Sequence, residues 1–440
     1  MNYKSLIDKV LEKGFSDVEV YAIEKNTESI KLFNYEVSEN KVALSNVYSI
    51  RALIDNKCVS TYVENISEDK YAEIAERLLT QSKYLENTDS SSFYSDAHEI
   101  DVKENLDNDF KEYSKSKQIE LLTDITRQIK TSSSLVTNTM VKIALTTFKK
   151  TIVNNKGLNK TYQNTQGTIV CEAVVKSETD TRAEYAFQNF NNIKDIDVSK
   201  LISDSSLKAV KALGAESLPS KAYKVVISNE CMNTLLSAYS MHFSALEVIN
   251  KLSQFDSKLG TKVFKDNVTF IDDPYKNEFN HVPFDDEGVE TKAKTLVENG
   301  ILKTYLHNRT TANLLNQETT GNGFKASIKS ELKVDASNLY LKEGDKSLDE
   351  VFALVGDGLY ITGFDGAHAG INAVSGNFNL KSNGFLIENG KLGRAVTLII
   401  VSGNFFDMMN DVNSIANDLK FSENIGSPSV YFNSLNVSGK

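Results

Sequence analysis

The sequence predicts an α+β protein whose N-terminal half contains helix–antiparallel meander–helix blocks and whose C-terminal half is mostly β with one long helix. Two observations support this prediction. In the first half, apolar residues recur at helical spacing in some segments and alternate with polar residues in others. In the second half, short alternating segments dominate, and 14 of the 22 glycines lie between Gly300 and Gly403, a density typical of tight turns.

The first block begins with a helix over residues 3–13, which Gly14 ends. A second helix, over 66–82, starts at Ser67, a common N-cap residue. Between them, alternating residues predict a meander with strands at 18–23, 29–33, 47–54 and 57–63.

Residues 84–110 are polar and acidic, which is typical of a solvated connection between domains. A second block follows, with helices at 114–130 and 198–213 and strands at 136–153, 158–175 and 181–189. The length of 440 residues suggests about three domains. We therefore predict an α/β domain over 1–110, a second over 111–220 and a β-rich domain over 221–440.

The C-terminal half is predicted to contain a long amphipathic helix from Ser228 to Gly260. Ser228 is a good N-cap residue, and Glu230 places a carboxylate in the first turn. Later in the chain, Asn-Gly turns within 295–302 and 385–392 predict β-hairpins. A further helix is predicted over 405–417.

Composition restricts the partners. The chain has 59 acidic and 49 basic residues, and its net charge of −10 disfavours binding to nucleic acid. The three cysteines are far apart, which fits a reducing compartment. No run approaches the roughly 18 apolar residues of a membrane span. We expect a cytoplasmic protein without nucleic-acid or membrane partners.

His242 lies beside the apolar face of the predicted long helix. A zinc peptidase helix needs two histidines about one turn apart and a nearby glutamate. Ala238 lies one turn before His242 and Leu246 one turn after, and neither side chain can bind a metal. By itself, this helix predicts no metal site.

Two loops contain other candidate groups. The carboxylates of Asp285-Asp286-Glu287-Gly288 could perform acid–base chemistry, or they could simply form a charged turn. The backbone N–H groups of Thr319-Thr320-Gly321-Asn322-Gly323 could bind an anion or a peptide carbonyl, or the segment could be a plain glycine turn.

A series of short motifs occurs in order between residues 225 and 440: Asp272-Asp273-Pro274, Phe284-Asp285-Asp286-Glu287-Gly288-Val289, Leu296-Val297-Glu298-Asn299-Gly300, Thr319-Thr320-Gly321-Asn322, Ser375-Gly376-Asn377-Phe378, Ile387-Glu388-Asn389-Gly390, Ser402-Gly403-Asn404, Asn417-Asp418-Leu419 and Leu435-Asn436-Val437-Ser438-Gly439. Together they resemble the TldD/PmbA family of metalloprotease-related proteins. The first half fits the family only by length and layout.

The TldD branch of that family carries His-Glu-x-x-x-His on the corresponding helix and a cysteine ligand near its C-terminus. If His242 matches the second histidine, Ser237 replaces the first and Ala238 replaces the glutamate. No cysteine follows Cys231. The chain therefore resembles the other branch, the PmbA or TldE type, whose members pair with the catalytic subunit.

The resemblance implies a non-catalytic subunit of a TldD/TldE-type metallopeptidase complex that acts in proteolysis and leader-peptide processing. It implies a TldD-like catalytic partner, a hetero- or homodimer, and zinc only in the partner, with no cofactor in this chain. Extended or unfolded peptides could add as a strand to the glycine-rich β structure. The residues we predict to bind peptide are Asp286, Glu287, Gly288, Thr320, Gly321, Asn322, Gly376 and Asn377.

Two alternatives stay open at this point. The first is an autonomous metallopeptidase with a non-standard metal site, for example His242 with Asp286 or Glu287. The second is a non-enzymatic peptide-binding module.

Overall fold

A computed structural model of the chain describes residues 2–85, 93–95, 102, 104, 106 and 108–440. Most of the connection predicted at 84–110 therefore lies outside the described residues. No helix in the described part of the chain combines the length and the apolar character needed to cross a bilayer.

One six-stranded antiparallel sheet, which we call the N-terminal sheet, contains every strand of the first half that the structure describes. The strands are β1 Asp17–Phe33, β2 Glu36–Ile54, β3 Lys57–Glu64, β4 Val136–Asn154, β5 Asn159–Lys176 and β6 Thr181–Phe190. They lie in the order β3-β2-β1-β4-β5-β6. Because β1 pairs with β4 from Glu19 to Phe33, the two predicted blocks share a single sheet. β1 is also one continuous strand rather than the two predicted pieces.

Helices cover one face of this sheet: α1 Tyr3–Leu11, α2 Tyr71–Ser82, α3 Lys115–Ser132, α4 Val198–Ile202 and α5 Lys208–Ala212, the last two joined by a π-helical turn. Val18, Val20 and Ala22 alternate along β1 and pack under α1 and α2. Residues between them point to the opposite face. That face carries Tyr21, which packs with Phe284 of the C-terminal half.

The C-terminal half contains two six-stranded sheets and a two-stranded ribbon. Its strands are β7 Lys221–Ile227, β8 Phe270–Asp272, β9 Lys294–Glu298, β10 Ile301–Leu302, β11 Gly323–Lys325, β12 Leu332–Val334, β13 Leu339–Leu341, β14 Gly358–Asp365, β15 Asn377–Glu388, β16 Lys391–Asn404, β17 Val412–Ile415, β18 Lys420–Ser422, β19 Ile425–Ser427 and β20 Val430–Ser438. The orders are β10-β9-β8-β13-β19-β18 and β16-β15-β14-β7-β20-β17, with β11-β12 as the ribbon. The predicted α+β class, with its mostly β second half, is confirmed.

The helices of this half are α6 Asn229–Tyr239, α7 Ala245–Ile249, α8 Arg309–Leu315, α9 Leu348–Val355, α10 Ala367–Gly370 and α11 Phe405–Asn410. Ser228 caps α6 as predicted, since its hydroxyl accepts the N–H of Cys231. Buried residues of α6 and of both large sheets form the main core of the half.

The predicted helix from Ser228 to Gly260 is too long. α6 ends at Tyr239, and a short 3-10 helix and α7 follow. The reason is a tertiary contact: Phe243 O accepts the N–H of Leu306, and Ala245 N–H is donated to Leu306 O. This strand-like pairing requires the extended conformation of Ser244 and interrupts the helix. The helix predicted over 405–417 is likewise shorter, because β17 pairs with β20.

Candidate functional site

Adjoining hollows surround the turn between β18 and β19. The first, which we call the α6 cleft, has a volume of about 520 Å³ and lies between α6, α10 and this turn. Two more, of about 770 and 800 Å³, lie between the N-terminal sheet and the C-terminal half, and together we call them the interdomain cleft. All three share Glu423 in their walls. The turn therefore links the face of α6 with the space between the halves.

The α6 cleft contains the helix positions that the family resemblance singled out. Ser237 and Ala238 line the cleft. His242 is absent from that lining and is fully buried. Its Nε2 lies 2.8 Å from Ala373 O, and its Nδ1 accepts the N–H of Gln254 at 3.0 Å. These bonds fix a neutral imidazole protonated at Nε2, and burial also lowers the pKa of His242.

The donor set does not fit a catalytic zinc. A protein zinc site needs three or four His, Cys or carboxylate ligands. Within the described ranges, no group of three or more such side chains lies close enough to hold an ion. The alternative site of His242 with Asp286 or Glu287 is not assembled, because His242 bonds to backbone groups and Asp286 bonds to the N-terminal sheet.

Asp286 joins the two halves of the chain. Its Oδ1 accepts the hydroxyl of Tyr21 at 3.0 Å and the ammonium of Lys150 at 3.1 Å, while Oδ2 accepts the N–H of Lys325 at 2.9 Å. Gly288, in the same loop, has φ of +83° and faces Leu158. Although Asp286 borders the interdomain cleft, its oxygens are already hydrogen-bonded within the chain.

Asp285 and Glu287 form a buried pair of carboxyl groups. Burial and the charge of Glu287 raise the pKa of Asp285 to about 8, and burial also raises the pKa of Glu287. Asp285 accepts backbone N–H groups from Glu287, Val289 and Gly323, whereas Glu287 accepts one, from Arg309. Three backbone donors stabilise the ionised form of Asp285, but burial and the charge of Glu287 outweigh them, so the pair retains a proton. Both side chains are buried, and neither lines the α6 cleft or the interdomain cleft.

The polar side chains of the Thr320–Asn322 loop also form hydrogen bonds within the chain. Thr320 Oγ1 accepts the N–H of His307 at 2.7 Å and donates to Asn322 Oδ1 at 2.8 Å. Asn322 in turn donates to Asp272 and accepts from Lys294. Gly321 has φ of +69°. The next residue, Gly323, donates its N–H to Asp285, so this loop and the Asp286–Gly288 loop form one unit.

Gly376 and Asn377 lie apart from that unit. Gly376 has φ of +84° and packs against Phe406, which also contacts the ring of His242. The carbonyl of Asn377 accepts the hydroxyl of Tyr239, at the end of α6, at 3.2 Å. The structure thus places the predicted peptide-binding residues in two groups, one beside the N-terminal sheet and one beside the end of α6.

Several residues lining the α6 cleft were not singled out by the sequence. Glu230 forms an ion pair with Lys420 at 2.7 Å; burial opposes this charge, but Lys420 lowers the pKa of Glu230 overall. Asn233 is only 4% exposed. Glu423 adopts φ of +53°, an uncommon conformation for a residue other than glycine. The wall of the α6 cleft is consequently rich in hydrogen-bond acceptors. No pattern in the sequence predicts that Asn233 and Glu423 line this cleft.

Three domain models of one protein family match most of the described chain. Models described as the PmbA/TldA metallopeptidase domain 1, central domain and C-terminal domain match residues 18–82, 108–213 and 220–439. A metalloprotease of Methanocaldococcus jannaschii is 33% identical over 236 residues, which are 53% of this chain and 51% of that protein. A PmbA homologue of Buchnera aphidicola is 26% identical over 65% of this chain and 62% of its own. The chain spans about half the length of the archaeal metalloproteases it matches.

Solved structures share the fold. A Thermotoga maritima protein described as a modulator of a DNA gyrase superposes with a TM-score of 0.88 at 28% identity, covering 99% of each chain. TldE of Thermococcus kodakarensis superposes with a TM-score of 0.89 over 100% of both chains. Because its identity is 17%, this second similarity concerns the fold alone.

Proposed function

The chain belongs to the PmbA/TldD metallopeptidase family, and we propose that it is the subunit of a TldD/TldE-type complex that does not itself hold the catalytic metal. One observation carries the proposal. Ser237 and Ala238 line the α6 cleft, and if His242 matches the second histidine of the catalytic branch, they replace its first histidine and its glutamate. His242 remains, but both its nitrogens bond to backbone groups.

The proteolytic role then depends on a partner. A TldD-type chain that carries His-Glu-x-x-x-His supplies zinc and the activated water, while this chain supplies part of the peptide-binding surface. The complex acts in proteolysis, including the trimming of leader peptides. The free cysteines of this chain are compatible with a cytoplasmic location.

An extended peptide fits the clefts as an added strand. β18 is the last strand of its sheet and, among the described residues, pairs only with β19. Such an edge offers unpaired backbone donors and acceptors to an extended chain of almost any sequence. β18 ends at Ser422, which lines both the α6 cleft and the interdomain cleft. This position supports binding of unfolded peptides rather than folded proteins.

The proposal is tested by purifying this chain and a TldD-type chain from the same source. Zinc content is measured in each, and hydrolysis of an unfolded peptide is measured for each chain alone and for the mixture. We expect little zinc and no turnover in this chain, and faster hydrolysis in the mixture than in the TldD-type chain alone.

Two results would contradict the proposal. Stoichiometric zinc with turnover in the isolated chain indicates an autonomous peptidase. Peptide binding without any effect on the hydrolysis rate of the TldD-type chain indicates a separate binding module.

A further inference from the structure

The outer side of β2 lacks a partner strand over about half its length. β3 pairs only with residues 47–54, and the last contact beyond them is the N–H of Asn65, which donates to Asn46 O. In an antiparallel strand, every second residue directs its N–H and C=O to the same side. Between Asn40 and Asn46, every second residue therefore directs these groups away from β1, and no described strand pairs with them. We call residues 36–46 the β2 edge.

Apolar side chains on the β2 edge are exposed to solvent. Val37, Val42 and Leu44 are 46%, 51% and 74% exposed. Tyr35, in the turn between β1 and β2, is 52% exposed. An unpaired edge that carries exposed apolar residues is a template for a strand of another chain. The order of its side chains shows which strand fits.

The apolar residues are arranged symmetrically about Asn40. On β1, the residue opposite Val42 lies two positions before the residue opposite Asn40, and the residue opposite Val37 lies two positions after it. The distances are equal because a β-bulge in the register skips Ser38. Residues two positions apart on a strand share a face, so Val37 and Val42 project from the same face of the sheet as Asn40.

The side chains on either side of Asn40 have opposite charges. The residues of β1 opposite Lys41 and Glu39 lie one position before and one position after the residue opposite Asn40. Glu39 Oε1 accepts the hydroxyl of Ser29 at 2.9 Å and lies 3.0 Å from the ammonium of Lys142. Both contacts are made by Oε1, so Oε2 can accept from a further cation. Lys41 is exposed and forms no ion pair with any residue that the structure describes. The β2 edge thus carries a cation and an anion at equal distances from one residue.

We propose that the β2 edge pairs with the β2 edge of a second copy of this chain, antiparallel and about a two-fold axis at Asn40. In this register, Lys41 lies opposite Glu39 of the second copy. Val42 lies opposite Val37 of the second copy, on one face. Each contact occurs twice because of the two-fold symmetry. A register centred on either neighbour of Asn40 would place Lys41 opposite Lys41 or Glu39 opposite Glu39, and like charges directly opposite are destabilising.

The ends of the paired segment also fit. The residue of β1 opposite Leu44 lies four positions before the one opposite Asn40, so Leu44 meets the hairpin turn of the second copy, which carries Tyr35. Pairing stops there because Asn65 already bonds to Asn46. None of the residues of the β2 edge lines the α6 cleft or the interdomain cleft, so this pairing depends neither on peptide binding nor on a catalytic partner.

Asn40→Cys in the full chain tests the position of the axis. Residues directly opposite in a hydrogen-bonded antiparallel pair have Cα atoms about 5.5 Å apart, a distance that a disulfide spans. We expect a disulfide-linked dimer after mild oxidation, measured by non-reducing gel electrophoresis. Tyr185→Cys is the matched control, because it places a cysteine at an exposed position of β6, the other edge strand of the N-terminal sheet, and should give monomer. The wild type, with its three native cysteines, is the blank.

Two charge variants test the register by sedimentation equilibrium. The wild type should show a monomer–dimer equilibrium. Lys41→Glu places a glutamate opposite Glu39 at both contacts and should weaken association by about tenfold. Glu39→Lys should act in the same direction, because it places a lysine opposite Lys41. A mixture of the two variants restores opposite charges at both contacts, so the variants should associate with each other more tightly than either does with itself.

A wild-type chain that stays monomeric at every concentration would overturn the proposal. So would a dimer that Lys41→Glu leaves unchanged, or a mixture of variants that associates no more tightly than each alone. Association of the β2 edge with a TldD-type chain only would also overturn it, because the occupant is then not a second copy. None of these results changes the zinc and hydrolysis measurements. Conversely, a dimer with these properties that has no effect on a TldD-type chain would support this pairing and reject the subunit role.

Discussion

The ammonium of Lys150 donates to Asp286 Oδ1 at 3.1 Å across the junction between the N-terminal sheet and the C-terminal half. Both side chains are buried, with 8% and 6% of their surfaces exposed. Lys150 also donates to Phe284 O at 2.9 Å, so it ties the β4 strand to the loop that carries Asp286. Together with the hydrogen bond from Tyr21 to Asp286, this pair joins the two halves beside the interdomain cleft.

Lys150→Met should destabilise the junction. Removing one partner of a buried ion pair leaves the other charge without compensation, which typically costs about 3 kcal/mol. The free energy of unfolding from urea titration measures the loss. Lys9→Met is the matched control, because the Lys9–Glu12 pair is exposed and contributes little. Equal effects of the two substitutions would show that the buried pair does not hold the halves together.

The Asp285–Glu287 pair should make stability fall as pH rises. Burial raises the pKa of both carboxyl groups above their ordinary values of 3.8 and 4.5, and that of Asp285 reaches about 8. Between pH 4.5 and about pH 8, the folded chain therefore retains a proton that the unfolded chain has released. In that window the unfolded state binds fewer protons, and the free energy of unfolding decreases by up to about 1.4 kcal/mol per pH unit for one proton.

Glu287→Gln provides the test, because glutamine imitates the protonated side chain and can still accept the N–H of Arg309. The free energy of unfolding of the variant and of the wild type is measured by urea titration at pH 5, 6, 7 and 8. We expect it to decrease less for the variant than for the wild type as the pH rises. Glu318→Gln, at an exposed position, should not change the slope. Parallel pH profiles for wild type and Glu287→Gln would refute a shared proton.

Local sequence signals predicted most of the fold. The N-cap of α6 at Ser228 and the hairpins with Asn299-Gly300 and Asn389-Gly390 depend on residues that are neighbours in the sequence. All four turn residues have positive φ, which asparagine and glycine tolerate better than other residues. Such features can be predicted because the interactions that stabilise them are made between residues only a few positions apart in the sequence.

The remaining features depend on residues far apart in the sequence. α6 ends early because Leu306 pairs with the segment after it. Asp286 and Tyr21, whose hydrogen bond helps to place the cleft wall, are 265 positions apart. The sequence marked Asp286 and Asn322 as candidates because of their residue types, but it contained no signal that their polar atoms would be used internally. Glu423 became a candidate only through its backbone conformation and its three neighbouring hollows.

The glycine of the Thr320–Asn322 loop can be tested against a glycine in open space. Gly321 has φ of +69°, and a Cβ there would lie 2.6 Å from Glu290 O. Gly260 has φ of +75°, with nothing within 4 Å. Gly260→Ala should cost about 1 kcal/mol of stability through backbone strain alone. Gly321→Ala should cost a further 1–3 kcal/mol or so, because the backbone neighbour cannot move aside easily. Chemical denaturation of both variants measures the difference in the free energy of unfolding. Equal losses would mean that the loop shifts to accommodate the added Cβ without further cost.

Restoring the missing family residues on α6 should not create a zinc site. In a chain with both Ser237→His and Ala238→Glu, His242 would still have to break its bonds to Ala373 O and Gln254 N–H and turn out of a buried position. No cysteine follows Cys231 to complete a set of three ligands. We expect zinc far below one equivalent per chain after loading and desalting, and no peptide hydrolysis, with a TldD-type chain treated identically as the positive control. One equivalent of zinc in the double variant would show that His242 can leave its buried bonds, and it would remove the main argument for a permanently metal-free subunit.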